Sequence, residues 1–390
     1  MTVRMLTKIS KVLRPASLAL MAPLLVACID TANVGKRVNP DKTVTVALLV
    51  PTGSGNAQQE ALGKSLINAA KLAASDIQGA QIDLKIYATA GNTAQAANAA
   101  KLAAADGAKI IVGPLFAEAA NAAGVAVSGQ NINILSLSNN NQIAGGNVFV
   151  LGNRFDNTAN RLVSYAAGKG LRNVAAVAAQ NTAGEIALDA VRKAAAKSGA
   201  NYTGSTAYEF SPDGVVGAVK TIKSQALSTG TQVLVFSSDS AGALPILAQL
   251  LPENGLGPDR VQYMGLTRWD IPASTLATSG LQGGWFTLPD TSSIAAFKSR
   301  YNANYGAAPH PLAGLAYDGI AAIGALLATG DTDALTRTKL TRTDGFAGVN
   351  GVFRLLPDGT NQRGLAIAEV RDGQAVVISP APRGFGGSGS

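Results

Sequence analysis

Few side chains in this 390-residue chain could carry acid–base or nucleophilic chemistry. Glu118, Asp239, Asp270 and Asp318 each stand near the end of an apolar run or the start of a helical pattern. Two of them facing each other could cleave a glycosidic bond. Carboxylates at helix starts more often accept amide hydrogen bonds or oppose the helix dipole, and that is the expectation for Glu118 and Asp318. His310, the single histidine, lies between Pro309 and Pro311. A site with two histidine ligands is therefore excluded, and a Ser-His-Asp triad would depend on one loop residue. No Gly-x-Ser-x-Gly turn supplies a nucleophile. Gly63-Lys64-Ser65 ends like a phosphate loop, but Gln58 occupies the place of its first glycine and the segment lies inside a helical pattern. These patterns assign no catalytic residue, no metal ligand and no cofactor.

Cys28 is the only cysteine, and its surroundings are ordered. Arg4, Lys8, Lys11 and Arg14 come first without an acidic residue, then the apolar run Leu18 to Leu25, then Ala27. Basic, apolar, small is the pattern of an export signal over residues 1–27. The run is shorter than the roughly 20 apolar residues of a bilayer span, and Pro15 and Pro23 interrupt it. Leu25-Val26-Ala27-Cys28 resembles the lipobox of bacterial lipoproteins. That resemblance implies lipidation of Cys28 and attachment to a membrane, the outer one being favoured because Ile29 replaces the aspartate that retains enteric lipoproteins at the inner membrane. Residues 28–42 are polar and read as a tether, and 381–390 as a flexible Gly/Ser-rich tail. The four signal cations supply half of the net charge of +8. What remains shows no basic stripe interleaved with aromatics, so no nucleic-acid partner is expected.

The elements that would position any site alternate. Val44 to Val50 is a near-continuous apolar run stopped by Pro51-Thr52-Gly53, and Leu62, Leu66, Ala69, Ala73 and Ile77 follow at helical spacing. The unit recurs at Ile82 to Tyr87, Lys109 to Val112, Asn133 to Ser136 and Val148 to Leu151, and a second series begins after Gly152. Strands buried on both faces with helical crossovers make parallel sheets. The expected fold class is α/β, with two doubly wound Rossmann-like lobes.

Several stretches are similar to the type I periplasmic binding protein fold, the class of the leucine/isoleucine/valine-binding proteins. They are Val46 to Pro51 with Asn68-Ala69-Ala70, Ile110-Ile111-Val112-Gly113-Pro114, Tyr317-Asp318-Gly319, Phe346 to Gly351, and Asp358-Gly359. The resemblance implies three hinge crossovers, near Gly152, Gln282 and Thr341, so that lobe one comprises 43–151 plus 283–340 and lobe two 152–282 plus 341–380. The lipobox, Gly113-Pro114-Leu115, Ile134 to Asn139 and Asn147 to Gly152 resemble a narrower branch, the penicillin-binding protein activator lipoproteins, which stimulate a peptidoglycan synthase.

In open parallel sheets ligands lie beyond the carboxyl ends of the strands. The candidate cleft residues are therefore Thr52, Ser54, Gly113, Pro114, Leu115, Ala117, Ser136, Ser138 and Asn139 in lobe one, and Asn181, Thr182, Ser237, Asp239 and Trp269 in lobe two. Amino-acid-binding members of the family place a serine shortly after the Gly-Pro pair; here Ala117 stands at the matching position, which argues against an ordinary amino-acid receptor. The leading expectation is a non-catalytic, lipid-anchored periplasmic protein that regulates cell-wall synthesis by engaging a peptidoglycan synthase. The alternative is a solute receptor that delivers a small polar, amino-acid-like ligand to the permease of an ATP-driven importer. A glycan-acting enzyme comes last.

Overall fold

The computed structural model describes Met1 and residues 34–385. Apart from Met1, the signal segment lies outside the described residues, as do Cys28, the tether up to residue 33 and the last five residues.

Lobe one is built on a five-stranded parallel sheet, in the order β2 (Ile82–Ala88), β1 (Val44–Val50), β3 (Ile110–Val112), β4 (Asn133–Ser136), β5 (Val148–Val150). Side chains alternate across a strand, and β1 shows why it reads as continuously apolar. Val46, Leu48 and Val50 join a core with α1 (Ala57–Asp76), α8 (Thr291–Tyr305) and α9 (Ala313–Leu327), while Ala47 and Leu49 face α2 (Thr93–Ala105) and α3 (Ala117–Val127). Both faces are covered, as the sequence predicts.

Lobe two has a seven-stranded sheet, in the order β15 (Gln374–Ser379), β14 (Ala366–Arg371), β10 (Trp285–Leu288), β9 (Gln262–Gly265), β8 (Val233–Phe236), β6 (Asn173–Ala179), β7 (Asn201–Tyr208). β14 and β15 are antiparallel to their neighbours. One face packs on α4 (Phe155–Gly168) and α5 (Thr182–Ser198), and the other on α6 (Pro212–Ser228) and α7 (Leu244–Glu253).

The structure moves two of the three expected crossovers. The first falls at Gly152, between β5 and α4. Residues 285–288, expected in lobe one, form β10 and pair with β9 and β14 of lobe two, so the second crossover lies at Pro289-Asp290, before α8. Residues 341–363, expected in lobe two, carry α10 (Arg337–Leu340) into a small antiparallel sheet of β11 (Phe346–Gly348), β12 (Gly351–Leu355) and β13 (Asn361–Arg363). Phe346, Phe353 and Leu355 of this sheet enter the lobe-one core, and the third crossover follows at Gly364-Leu365. The lobe of β10 is decided by its hydrogen-bonded partners, and that of β11 to β13, which pair only with one another, by the core that their side chains enter.

The boundaries of tether and tail also move. The Val34 carbonyl accepts hydrogen bonds from Asn133 Nδ2 at 3.0 Å and from the Arg337 amide at 2.8 Å, and Val38 is buried in the lobe-one core. Residues 34–38 are thus docked on lobe one rather than part of a tether. At the other end Ala381 is buried in lobe two and Phe385 lies 4.8 Å from the Arg354 guanidinium.

The second crossover ends on a cap. Asp290 accepts from the Ser293 amide at 2.7 Å and from the Ser292 hydroxyl at 2.6 Å, satisfying donors at the start of α8. These bonds hold the Asp290 carboxyl below the usual carboxylate range. A depressed folded-state pKa contributes stability that is present above the unfolded value, about 3.9, and is lost as pH falls through the folded value. Asp290→Ala is expected to cost about 1 kcal/mol at pH 7, with the difference from the parent shrinking in acid. Urea unfolding at neutral and acidic pH measures both.

Candidate functional site

The carboxyl ends of β6 to β9 open onto a cavity of about 430 Å³ in lobe two. Asn181, Ser237, Ser238, Asp239, Tyr208 and Thr267 supply its polar wall, and Phe155 and Phe210 its aromatic one. Local sequence explains the shape. Gly184 opens α5 against the end of β6, where an added Cβ would lie 1.9 Å from the Ala179 carbonyl oxygen. Only glycine lets helix and strand approach so closely. Asn181 caps the same helix by accepting from the Gly184 amide at 2.8 Å, and Thr267 Oγ1 donates to the Ser238 carbonyl at 2.9 Å, tying the loops after β8 and β9 together.

Asp239 is the one charged side chain in that wall, and it is exposed. Tyr208 is 3 % exposed, and burial pushes its phenol up, so it stays a hydrogen-bond donor at neutral pH. Ser238 Oγ is buried beside the Tyr208 phenol, which is its one side-chain neighbour for a hydrogen bond and leaves it able to bond a ligand. Phe210 is 73 % exposed at the rim. The cavity therefore offers one negative charge, several neutral hydrogen-bonding groups and aromatic surface. That chemistry suits a small ligand with a protonated amine or strong donor on a partly apolar body.

Lobe one contributes a different chemistry. Gly113, at φ +83°, turns the chain where a Cβ would sit 2.2 Å from the Leu49 carbonyl oxygen. Leu115, Phe116 and Ala117 then lead into α3, whose first turn has no side-chain cap and so keeps amides free for an acceptor. Most of the predicted hydroxyls are already engaged. Ser136 Oγ donates to the Pro114 carbonyl at 3.1 Å and accepts from the Ser138 amide, and Ser138 Oγ accepts from the Asn140 amide at 3.1 Å. The Ser54 amide and hydroxyl both reach Glu60 Oε1. These serines shape the loops. Thr52 is half-buried beside them and Asn139 is exposed.

Of the residues expected in lobe two, the structure brings Asn181, Ser237 and Asp239 to one cavity. Thr182 is exposed at the first residue of α5 and lies outside that wall. Trp269 is a correction: it is 0 % exposed, stacked on Phe286 with ring centroids 5.8 Å apart, in a slot left by Gly265 and Gly284. An apolar ring of this size beside two missing side chains goes to the core. Tyr208, Phe210 and Phe155 complete the wall and are not among the sequence candidates, although the rule of strand carboxyl ends, applied to β7, reaches the first two.

The remaining candidates for acid–base work are dispersed. Glu118 is exposed on α3, Asp270 is held by Arg268 through its Nε at 2.5 Å, and Asp318 is 0 % exposed. His310 Nδ1 accepts from the Leu312 amide, and Ser65 bonds the Tyr301 hydroxyl and the His310 amide from within α1.

Behind the cleft the crossovers are bolted together. Arg363, its side chain 2 % exposed, donates from Nε and Nη2 to the Leu151 carbonyl at 2.9 and 2.6 Å, and from Nη1 to Asp318 Oδ2 at 3.0 Å. Burial pushes the Asp318 carboxyl up, while Arg363, Asn350 and the Val349 amide pull it down. Asn361 Nδ2 donates to the Val150 and Gly152 carbonyls at 2.7 and 2.8 Å, and Asn157 Nδ2 donates to Asn361 Oδ1 at 2.7 Å. Thr158 and Thr287 share a hydrogen bond at 3.3 Å. This network ties the first crossover to the strand that precedes the third.

A family model described as periplasmic binding protein matches residues 43–375. The chain belongs to that family. Solved structures give the fold more finely, as a type I periplasmic binding protein. A putative branched-chain amino acid ABC transporter protein from Rhodospirillum rubrum is 18 % identical, with TM-score 0.73, covering 86 % of this chain and 100 % of its own. An ABC transporter substrate-binding protein from Sphaerobacter thermophilus is 17 % identical, with TM-score 0.69 and coverages of 88 % and 99 %. A branched-chain amino acid ABC transporter periplasmic ligand-binding protein from Burkholderia xenovorans is 19 % identical, with TM-score 0.68 and coverages of 87 % and 96 %. No curated protein matches the chain. The family is periplasmic, and among the described residues no helix of this member is long and apolar enough to cross a membrane.

Proposed function

We propose that this periplasmic binding protein is the solute receptor of an ATP-driven importer and encloses a small polar ligand bearing an amine. The cavity over β6 to β9, with Asp239 as its sole charge, is the observation that carries the reading. Closure about the three crossovers would bring the uncapped start of α3 opposite Asp239, so that one lobe meets an acceptor and the other a donor. An amino-acid-like zwitterion has both ends. Ala117 then leaves carboxylate recognition to backbone amides. The similar solved structures are described as parts of ABC transporters, which favours this role over regulation of a peptidoglycan synthase. Two of the four motifs behind the regulator expectation, Ile134 to Asn139 and Asn147 to Gly152, are almost entirely buried, largely in β4 and β5, so these two offer little surface to a partner.

Thermal-shift and calorimetric titration with a panel of amino acids, amines and carboxylates tests the proposal. One ligand is expected to bind with unit stoichiometry and to raise the melting temperature. Asp239→Asn is expected to weaken that ligand by about 10- to 150-fold, the range of a hydrogen bond to a charged group at about 1.5–3 kcal/mol, and to leave the free protein's stability unchanged. A panel without a binder, or an amine-bearing ligand indifferent to Asp239→Asn, rejects it. The lipid anchor at Cys28 belongs to the same proposal. Recovery of the native-host protein in the aqueous phase of a detergent partition would reject the anchor alone.

A further inference from the structure

A second cavity, of about 440 Å³, lies beside the hinge between α4, β13 and the carboxyl-terminal segment, and it shares no residue with the cleft cavity. Four cationic residues, Arg154, Arg161, Lys197 and Arg363, line it, and no carboxylate does. Two of the four charges are already balanced. Arg363 pairs with Asp318 at 3.0 Å and Arg154 with Asp156 at 3.2 Å.

The other two are not balanced. Arg161 donates from Nε to the Leu365 carbonyl at 2.8 Å, and from Nη2 to Ser379 Oγ at 2.6 Å and the Pro380 carbonyl at 3.2 Å. All three acceptors are neutral, and burial pushes the Arg161 pKa down. Lys197 is exposed at the rim and, among the described residues, neither it nor Arg161 has a carboxylate partner. Arg154 Nε is buried without a hydrogen-bond partner. Uncompensated cations around a concave, partly dry surface raise the local concentration of anions, and an arginine fork fits carboxylate or phosphate oxygens. Leu356, Pro382 and Phe385 add apolar wall, so the space suits more than a bare ion.

We infer that this hinge pocket binds a small organic anion, a carboxylate or phosphate carried on an apolar skeleton. Asn160 and Ser164 stand on the same face of α4 as Arg161 and supply further donors. The walls belong to both sides of the hinge: α4 packs in lobe two, while Leu356 follows β12, whose side chains enter the lobe-one core. A ligand here touches both bodies at once, so its binding is linked to the opening angle of the cleft.

Calorimetric titration of the full chain with phenyl phosphate, inorganic phosphate and benzyl alcohol, at fixed ionic strength, tests the inference. Phenyl phosphate is expected to bind at least about tenfold more tightly than either comparison compound. Lys197→Glu is expected to weaken it at least about tenfold, with Lys197→Gln between the two, since one reversed charge at close range changes binding by 1.4 kcal/mol or more. Among the described residues Lys197 makes no side-chain hydrogen bond or ion pair, and thermal melts of both variants check that they stay folded. Asp239→Asn leaves phenyl phosphate binding unchanged, which separates this pocket from the cleft. Binding no tighter than that of benzyl alcohol, equal binding of inorganic phosphate, or titrations of Lys197→Glu that match the parent would each overturn the inference.

Discussion

Arg363→Ala is expected to destabilise the protein by about 3–5 kcal/mol, because it leaves Asp318, which is 0 % exposed, as a buried charge without its partner. The truncation also strips both donors from the Leu151 carbonyl and removes the guanidinium 5.0 Å from the Phe353 ring. The buried pair itself does not have to be strongly stabilising, since desolvation offsets much of its attraction. The asymmetry is what counts: losing one member costs more than losing both. Arg363→Ala combined with Asp318→Ala should therefore recover part of the loss, and the cycle of parent, two single variants and double variant should show coupling above about 1 kcal/mol. Urea unfolding monitored by tryptophan fluorescence gives all four values. A loss below about 1 kcal/mol for Arg363→Ala would mean that water reaches this site and that the crossovers are not held as described.

Trp269→Ala is expected to cost about 3–5 kcal/mol of stability, the range for removing a fully buried aromatic side chain. The ring fills space that Gly265 and Gly284 leave empty, where an added Cβ would come within 2.2 and 2.6 Å of it. Neither glycine can supply replacement atoms, so the vacated volume stays a cavity. At a temperature where the variant remains folded, ligand affinity is expected to change by less than about threefold, because the indole is 0 % exposed and does not line the cleft cavity. A tryptophan that stacked on the ligand would behave in the opposite way, with little loss of stability and a large loss of affinity. Comparing chemical denaturation with calorimetry decides between them.

Much of this architecture is written in local patterns. β4 is found at Asn133–Ser136, where the apolar run predicts it, and β1 at Val44–Val50, because a strand covered on both faces must be apolar throughout. The lobe assignments of 285–288 and 341–363 are not local. β10 could pair in either sheet as far as its residues go, and Phe346 and Phe353 mark a buried face without saying whose. The hinge network is likewise invisible beforehand: Arg363 meets Asp318 across 45 positions of chain, and Asn361 meets Val150 and Gly152 across 211 and 209. The cleft was half legible. Asn181, Ser237 and Asp239 follow from the rule of strand ends, whereas Tyr208 and Phe210 required noticing that β7 ends there too. Ser136 ends β4 and Ser138 follows it, and a sequence does not show that their hydroxyls are taken up by the backbone.

The two-lobed body implies that enclosing a ligand moves the lobes together about the crossovers. Spin labels at Gln58 on α1 and Asp213 on α6, both exposed at the strand carboxyl ends of their lobes, report that motion by pulsed dipolar spectroscopy once Cys28 is replaced by serine. Saturation with the ligand found by titration is expected to shorten the mean distance between the labels by several ångströms and to narrow its distribution. An unchanged distance in the saturated protein would contradict a receptor that works by closing.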